Sequence, residues 1–189
     1  ELSGAMEMLV RALRMHPYYI SESTTRTLSQ TIDFLGEFLV PQTAVKSLAE
    51  QKAKALIVDD EELCRESIAR SLELVKIEGH AVATPEKALW AANENTYELI
   101  VLDVGLPGMD GFELCQRIRA LPKHGDTPIL FVTGRVDLES RGQSRLCGGT
   151  DFISKPFQLI ELAVKSLTHV MKARMSAAAP LPVSPEQDS

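Results

Sequence analysis

Five short apolar runs, at 55–58, 80–83, 99–103, 128–132 and 151–153, alternate with stretches patterned for helices at 63–75, 85–93, 111–120, 138–146 and 157–173. That alternation leaves few folds open. Strands joined through helices run parallel, and strands buried on both faces read as continuous apolar runs. Right-handed crossovers then limit the possible strand orders. The expectation for residues 54–175 is an α/β domain, a five-stranded parallel sheet with helices on both faces.

The segments on either side read differently. Residues 1–40 predict a helical hairpin. Met6, Leu9, Val10 and Leu13 recur at helical spacing, and Leu28, Ile32, Leu35 and Leu39 form a second stripe. Pro17 breaks the pattern between them, Ser23 is the expected N-cap of the second helix, and Pro41 ends it. Two helices of this size cannot bury a core alone. The stripe therefore meets its own sheet domain, an absent domain or a second copy. Two hairpins would complete a four-helix bundle, so a homodimer through residues 1–40 is one expectation. Residues 41–53 read as a linker. Residues 176–189 contain three prolines and little to bury, and read as a disordered tail.

Composition narrows the function classes. The chain has 189 residues, of which 44% are hydrophobic, and a net charge of −6, so direct nucleic-acid binding is not expected. Its three cysteines, Cys64, Cys115 and Cys147, fit neither a metal spacing nor a disulfide framework, which points to a cytoplasmic protein. No run predicts a membrane span and no signal peptide is visible. A chain that begins at Glu1 rather than Met reads as either a fragment or a processed product, so a missing leader carries little weight.

The chemistry sits at the ends of the apolar runs. Asp59 and Asp60 end the first, Asp103 ends the third, Thr133 ends the fourth and Lys155 follows the fifth. A parallel sheet gathers the C-terminal ends of its strands into one crevice. Three carboxylates and an ammonium there suit a divalent cation and a phosphoryl group better than they suit stability. Mg²⁺ is the fitting ion, with Asp60 and Asp103 as direct ligands and Asp59 acting through water. A free carboxylate oxygen can attack phosphorus to give an acyl phosphate. Lys155 and the Thr133 hydroxyl would then pair with the phosphoryl oxygens. Taken singly, the residues have plainer readings: Asp59 and Asp60 as helix caps, Thr133 as a strand end, Phe152 as core.

Four separated motifs then spell a family. They are Val58-Asp59-Asp60-Glu61, Leu102-Asp103-Val104-Gly105-Leu106-Pro107-Gly108-Met109-Asp110-Gly111, Val132-Thr133-Gly134 and Asp151-Phe152-Ile153-Ser154-Lys155-Pro156-Phe157. In that order they resemble the receiver domain of two-component response regulators. The resemblance implies a doubly wound, flavodoxin-like sheet in the order 2-1-3-4-5. It implies Asp103 as phosphoacceptor, Asp59 and Asp60 as the acidic pair for Mg²⁺, and the Gly105 carbonyl as a further metal ligand. Thr133 becomes the switch hydroxyl, Phe152 the switch aromatic and Lys155 the phosphoryl partner, with a cis bond before Pro156. The donor would be a histidine kinase or a histidine-phosphotransfer protein. Gly134 and Gly148-Gly149-Thr150 depart from the usual pattern, which bears on phosphoryl lifetime.

The expected protein is a signalling switch and not an enzyme. Dimerisation through the last-helix face, only after a phosphoryl group is added, is the alternative to the dimer through residues 1–40. A phosphohydrolase would need an aspartate where Gly105 stands. A receiver fold that only docks partners, without phosphate, is the other alternative. None of His16, His80, His124 and His169 has a phosphotransfer context. Residues 1–40 weakly resemble later helices of a histidine-phosphotransfer domain without its histidine. No output module is legible.

Overall fold

The computed structural model describes residues 2–16, 20–37, 52–134 and 146–178. Five strands, β1 (Lys54–Val58), β2 (Glu78–Val82), β3 (Leu99–Asp103), β4 (Ile129–Thr133) and β5 (Asp151–Ser154), form one sheet in the order β2-β1-β3-β4-β5. Every pairing is parallel. The order reverses between β1 and β3, and there a doubly wound sheet opens a crevice at its C-terminal edge.

The strand calls hold at the centre and slip at one edge. β3 and β4 are buried throughout, as continuous apolar runs require. β2 lies at 78–82 rather than 80–83, and only Val82 is buried. Its residues are wet, so hydropathy does not mark it; pairing of Lys54 with Glu78 does.

The helices are α1 (Leu2–Met15), α2 (Glu22–Glu37), α3 (Glu62–Glu73), α4 (Pro85–Glu94), α5 (Gly111–Arg119) and α6 (Leu159–Ala178). Thr84 caps α4 and Asp110 caps α5 through side-chain acceptors, the role these residue types favour. The helix expected at 138–146 lies outside the described residues except for Leu146. So do the linker through residue 51 and the tail from residue 179. Residues 176–178, assigned to that tail, are the last turn of α6.

One sheet face packs on α4 and α5, with Leu56, Ile100, Leu102 and Phe131 at its centre. The other, with Ile57, Val101, Val132 and Ile153, packs on α3 and α6. This second core continues outward. Leu9, Leu13 and Phe34 of α1 and α2 belong to it, because both helices lie against α6. The apolar faces of the hairpin are thus met within the chain, by the first of the three expected partners.

The details of that hairpin correct the sequence reading. On α1 the buried residues are Leu2, Ala5, Leu9 and Leu13, while Val10 is exposed. On α2 the inward row is Ser23, Thr24, Thr27, Thr31 and Phe34. Ile32 is 56% exposed, Leu28 and Leu35 only flank the contact, and Leu39 lies outside the described residues. The helix therefore presents its threonine row inward and not its leucine stripe. Thr27 and Thr31 donate their hydroxyls to the carbonyls of Ser23 and Thr27, at 2.9 and 2.7 Å, which leaves their methyl groups to pack. Ser21 and not Ser23 caps α2: its Oγ accepts from Thr24 N at 3.1 Å, and Thr24 Oγ1 accepts from Ser21 N at 2.7 Å.

Candidate functional site

Four strands deliver the site. Asp59 and Asp60 follow β1, Asp103 ends β3, Thr133 ends β4, and Lys155 follows β5. Lys155 starts two strands from Asp103, roughly 10 Å away at the usual strand spacing. Its stem crosses the end of β4 to reach the crevice. Its backbone N–H donates to Thr133 O at 2.8 Å, and its peptide bond to Pro156 is cis.

The ammonium of Lys155 lies between two carboxylates. Nζ donates to Asp59 Oδ2 at 2.8 Å and to Asp103 Oδ1 at 3.0 Å. Asp59 is fully buried and also accepts from Glu61 N–H through Oδ1, at 2.9 Å. It thus tightens the turn after β1 and does not cap α3, whose N-cap Glu61 makes no side-chain cap bond. Asp103 is 7% exposed, and its Oδ2 accepts from Gly105 N–H at 2.9 Å. Burial raises the Asp103 pKa above the ordinary carboxylate value, against the pull of Lys155. Burial works against the Lys155 ammonium as well, yet its hydrogen bonds to Asp59 and Asp103 outweigh it and raise its pKa. Asp60 stands exposed on the rim.

The approach of α5 to β3 keeps the crevice tight. Gly111 N–H donates to Val104 O at 3.0 Å, and a Cβ at Gly111 would meet Asp103 O at 2.2 Å. Only glycine lets the helix start there. At Gly105 a Cβ would stand 3.2 Å from Asp103 Oδ2, so its absence leaves that oxygen reachable.

The donor set fits a hard cation. Asp59, Asp60 and Asp103 offer carboxylate oxygens and Gly105 a carbonyl, and one ammonium against three carboxylates leaves the crevice negative. Asp59, Glu61 and Cys64 place ligand-type atoms within 4.8 Å of one another. Cys64 adds nothing soft to that group. Burial, and then its hydrogen bond to Asp59, push the thiol up to about 12, so it stays protonated.

Thr133 is 5% exposed beside Lys155, and Phe152 is 9% exposed on β5. Phe152 does not line the crevice; its ring lies among the α4–α5 side residues, opposite Phe131 of β4. Sequence reading missed three contributors. Arg65 donates to the carbonyls of Asp59 and Asp60, both at 2.8 Å, and so fixes the acidic turn. The Cys64 thiol faces Asp59. The Arg26 guanidinium of α2 sits 4.6 Å from the centre of the Phe152 ring. The first two lie in the first turn of α3, directly after the acidic pair, where their proximity in the chain was the available signal. The third had no sequence signal, because it joins distant segments.

Comparison with known proteins agrees with this geometry. The family model "Response regulator receiver domain" matches residues 55–166. The transcriptional regulatory protein SpaR of Bacillus subtilis is 37% identical over 126 residues, 65% of this chain and 54% of that protein. The two-component response regulator PhoP of Pseudomonas aeruginosa is 36% identical over 115 residues, 59% of this chain and 49% of that protein. The chain thus spans about half the length of the curated relatives it matches. Among solved structures, the chemotaxis protein CheY4 of Vibrio cholerae superposes with a TM-score of 0.60 at 31% identity, covering 64% of this chain and 99% of that one. A CheY-like receiver domain protein from Methanospirillum hungatei superposes with a TM-score of 0.63 at 26% identity, covering 67% and 99%.

Proposed function

The chain belongs to the response regulator receiver family, and we propose that Asp103 is its phosphoacceptor, loaded from a phosphohistidine on a partner kinase or phosphotransfer protein. The observation that carries this is the Lys155 ammonium held between Asp59 Oδ2 and Asp103 Oδ1 at the C-terminal ends of parallel strands. A cation beside the attacking carboxylate supports this reading, because incoming phosphoryl oxygens need one to pair with.

In the transfer, an Asp103 oxygen forms a bond to phosphorus as the phosphorus–nitrogen bond breaks. The bonding pair leaves with the imidazole, which ends neutral because its other nitrogen keeps its proton. Such transfers depend mostly on positioning and charge. Lys155 receives one phosphoryl oxygen, and the Thr133 hydroxyl donates to another. Asp60, Asp103 and the Gly105 carbonyl would hold Mg²⁺, with Asp59 acting through water. When bound, the ion offsets repulsion between carboxylates and phosphoryl oxygens. Burial raises the basicity of Asp103, which favours attack by its carboxylate.

The product is a switch and not an enzyme acting on a released substrate. Phosphorylation draws Thr133 inward, Phe152 follows, and the surface at β5 and the last helix changes its affinity for protein partners. The reading places the chain in the cytoplasm, beside its phosphohistidine donor. No described helix is long and apolar enough to cross a membrane. A net charge of −6 gives these residues no role in gripping nucleic acid.

Intact mass after treatment with acetyl phosphate and Mg²⁺ tests the proposal. One added phosphoryl group is expected in the wild type and none in Asp103→Ala; Asp60→Ala should need far more Mg²⁺. An adduct that survives in Asp103→Ala would assign the wrong residue.

A further inference from the structure

α6 is covered where its sequence predicts water. Every residue from Ile160 to Val170 is buried. Yet one of its rows is Glu161, Lys165, Thr168 and His169, a polar helix face that ordinarily lies at the surface. Here α2 and the edge strand β5 meet that row. Ser23 Oγ donates to Glu161 Oε1 at 2.5 Å, and the Thr31 and Thr168 hydroxyls pair at 3.2 Å. Lys165 Nζ donates to Asp151 Oδ2 at 2.8 Å, and Arg26 Nη1 stands 3.9 Å from Asp151 Oδ1. Ser166 Oγ is buried with no hydrogen-bond partner. Burial under the cover raises the Glu161 pKa and lowers that of Lys165, so both charges are held at a desolvation penalty.

Contacts between units that separate resemble transient interfaces and are more polar than a core. This interface has that character, with Leu9, Leu13 and Phe34 as its apolar anchors. It differs from the hold of α6 on the sheet side, where Arg174 makes a two-pronged ion pair with Glu98.

The same interface touches β5, the strand that leads into Lys155, at Phe152. Arg26 rests on the ring of Phe152 in β5, three positions before Lys155, which follows the end of that strand. Lys155 is tied to Asp103 through its ammonium and to Thr133 through its backbone. A pull on Lys155 and Thr133 thus enters the strand whose aromatic ring carries Arg26.

We propose that α1 and α2 are a built-in ligand of the β5–α6 face, docked while Asp103 is unmodified and released when Asp103 carries a phosphoryl group. The proposal rests on Asp103 as the acceptor. Release exposes a face already furnished with polar groups, which another protein can then occupy. The occupant in the resting state is α1 and α2 of this same chain, seated there in the structure.

Hydrogen exchange read by mass spectrometry on the full chain, with and without acetyl phosphate and Mg²⁺, tests this, with intact mass reporting the loading. Amides of α1 and α2 should exchange about fivefold faster or more after loading, within the usual range of allosteric coupling, while those of β1 and β3 stay protected. Arg26→Ala should loosen α1 and α2 without loading. By reciprocity it should also bind beryllium fluoride, a phosphoryl mimic, more tightly than the wild type. Loaded protein with unchanged hairpin exchange overturns the release while leaving Asp103 as the acceptor. A loosened hairpin in Arg26→Ala with unchanged beryllium fluoride affinity overturns the coupling and leaves a structural contact only. Failure of the wild type to load overturns the acceptor reading, and the switch with it.

Discussion

Asp103 is held in a state that favours chemistry over stability. Its pKa is raised because burial disfavours the charge more than Lys155 supports it. A group whose folded pKa lies above its unfolded value destabilises the fold where it is ionised; that penalty is full above the folded value and fades as pH falls through it toward the unfolded value. Asp103→Asn keeps the shape and removes the charge. With Mg²⁺ chelated, it should melt at a higher temperature than the wild type at pH 7. The gap should hold above the raised carboxyl value and shrink as pH is lowered through it toward the ordinary carboxylate value. Thermal unfolding of both proteins across that range checks the sign, and a gap that widens on acidification would contradict it. Lys155 shows the complementary case, since its paired carboxylates hold it charged in spite of burial.

At the scale of elements, the site depends on how closely α5 abuts the end of β3. The turn through Pro107, Gly108, Met109 and Asp110 brings the helix to Gly111, where Asp110 Oδ1 accepts from Glu113 N–H at 2.8 Å. Gly108 takes φ +83°, which glycine adopts freely. At Gly111 the limit is contact and not φ: a Cβ would meet backbone atoms of Asp103 and Val104. Gly111→Ala must push α5 off β3 and move Asp103. Urea unfolding should show a loss of about 2 kcal/mol, the usual scale for overpacking. Phosphorylation by acetyl phosphate should slow in the same variant. Loss of stability with an unchanged rate would mean the strain relaxes away from Asp103.

For the whole molecule, the placement of α1 and α2 decides assembly. Their buried rows are used on α6 of the same chain, so the four-helix-bundle dimer has lost the surfaces it needs. Sedimentation of the unphosphorylated chain at tens of micromolar should give a monomer. The alternative dimer, through the last-helix face, meets the same docked helices and, under the proposed release, is expected only after phosphorylation. A dimer before phosphorylation would show that the outward residues Met8, Val10 and Ile32 form a second contact face.

The amino-acid sequence alone determined the sheet, its parallel sense and the membership of its crevice. Apolar runs buried on both faces, with acids and a lysine at their ends, follow from strand geometry, which places residues by period and by order along the chain. Asp59, Asp103, Thr133 and Lys155 were legible for that reason. Only the tertiary structure decided what depends on distant neighbours. Edge strand β2 is defined by pairing with β1, since wet residues carry no hydropathy signal. The inward face of α2 is its threonine row, because threonine closes its own hydroxyl on the helix and then packs as an apolar residue. The meeting of Arg26 with Phe152, and the burial of Glu161 and Lys165 beneath α2, belong to the same class. A helix face is written in the sequence as polar or apolar, but what covers it is settled only when the chain has folded back on itself.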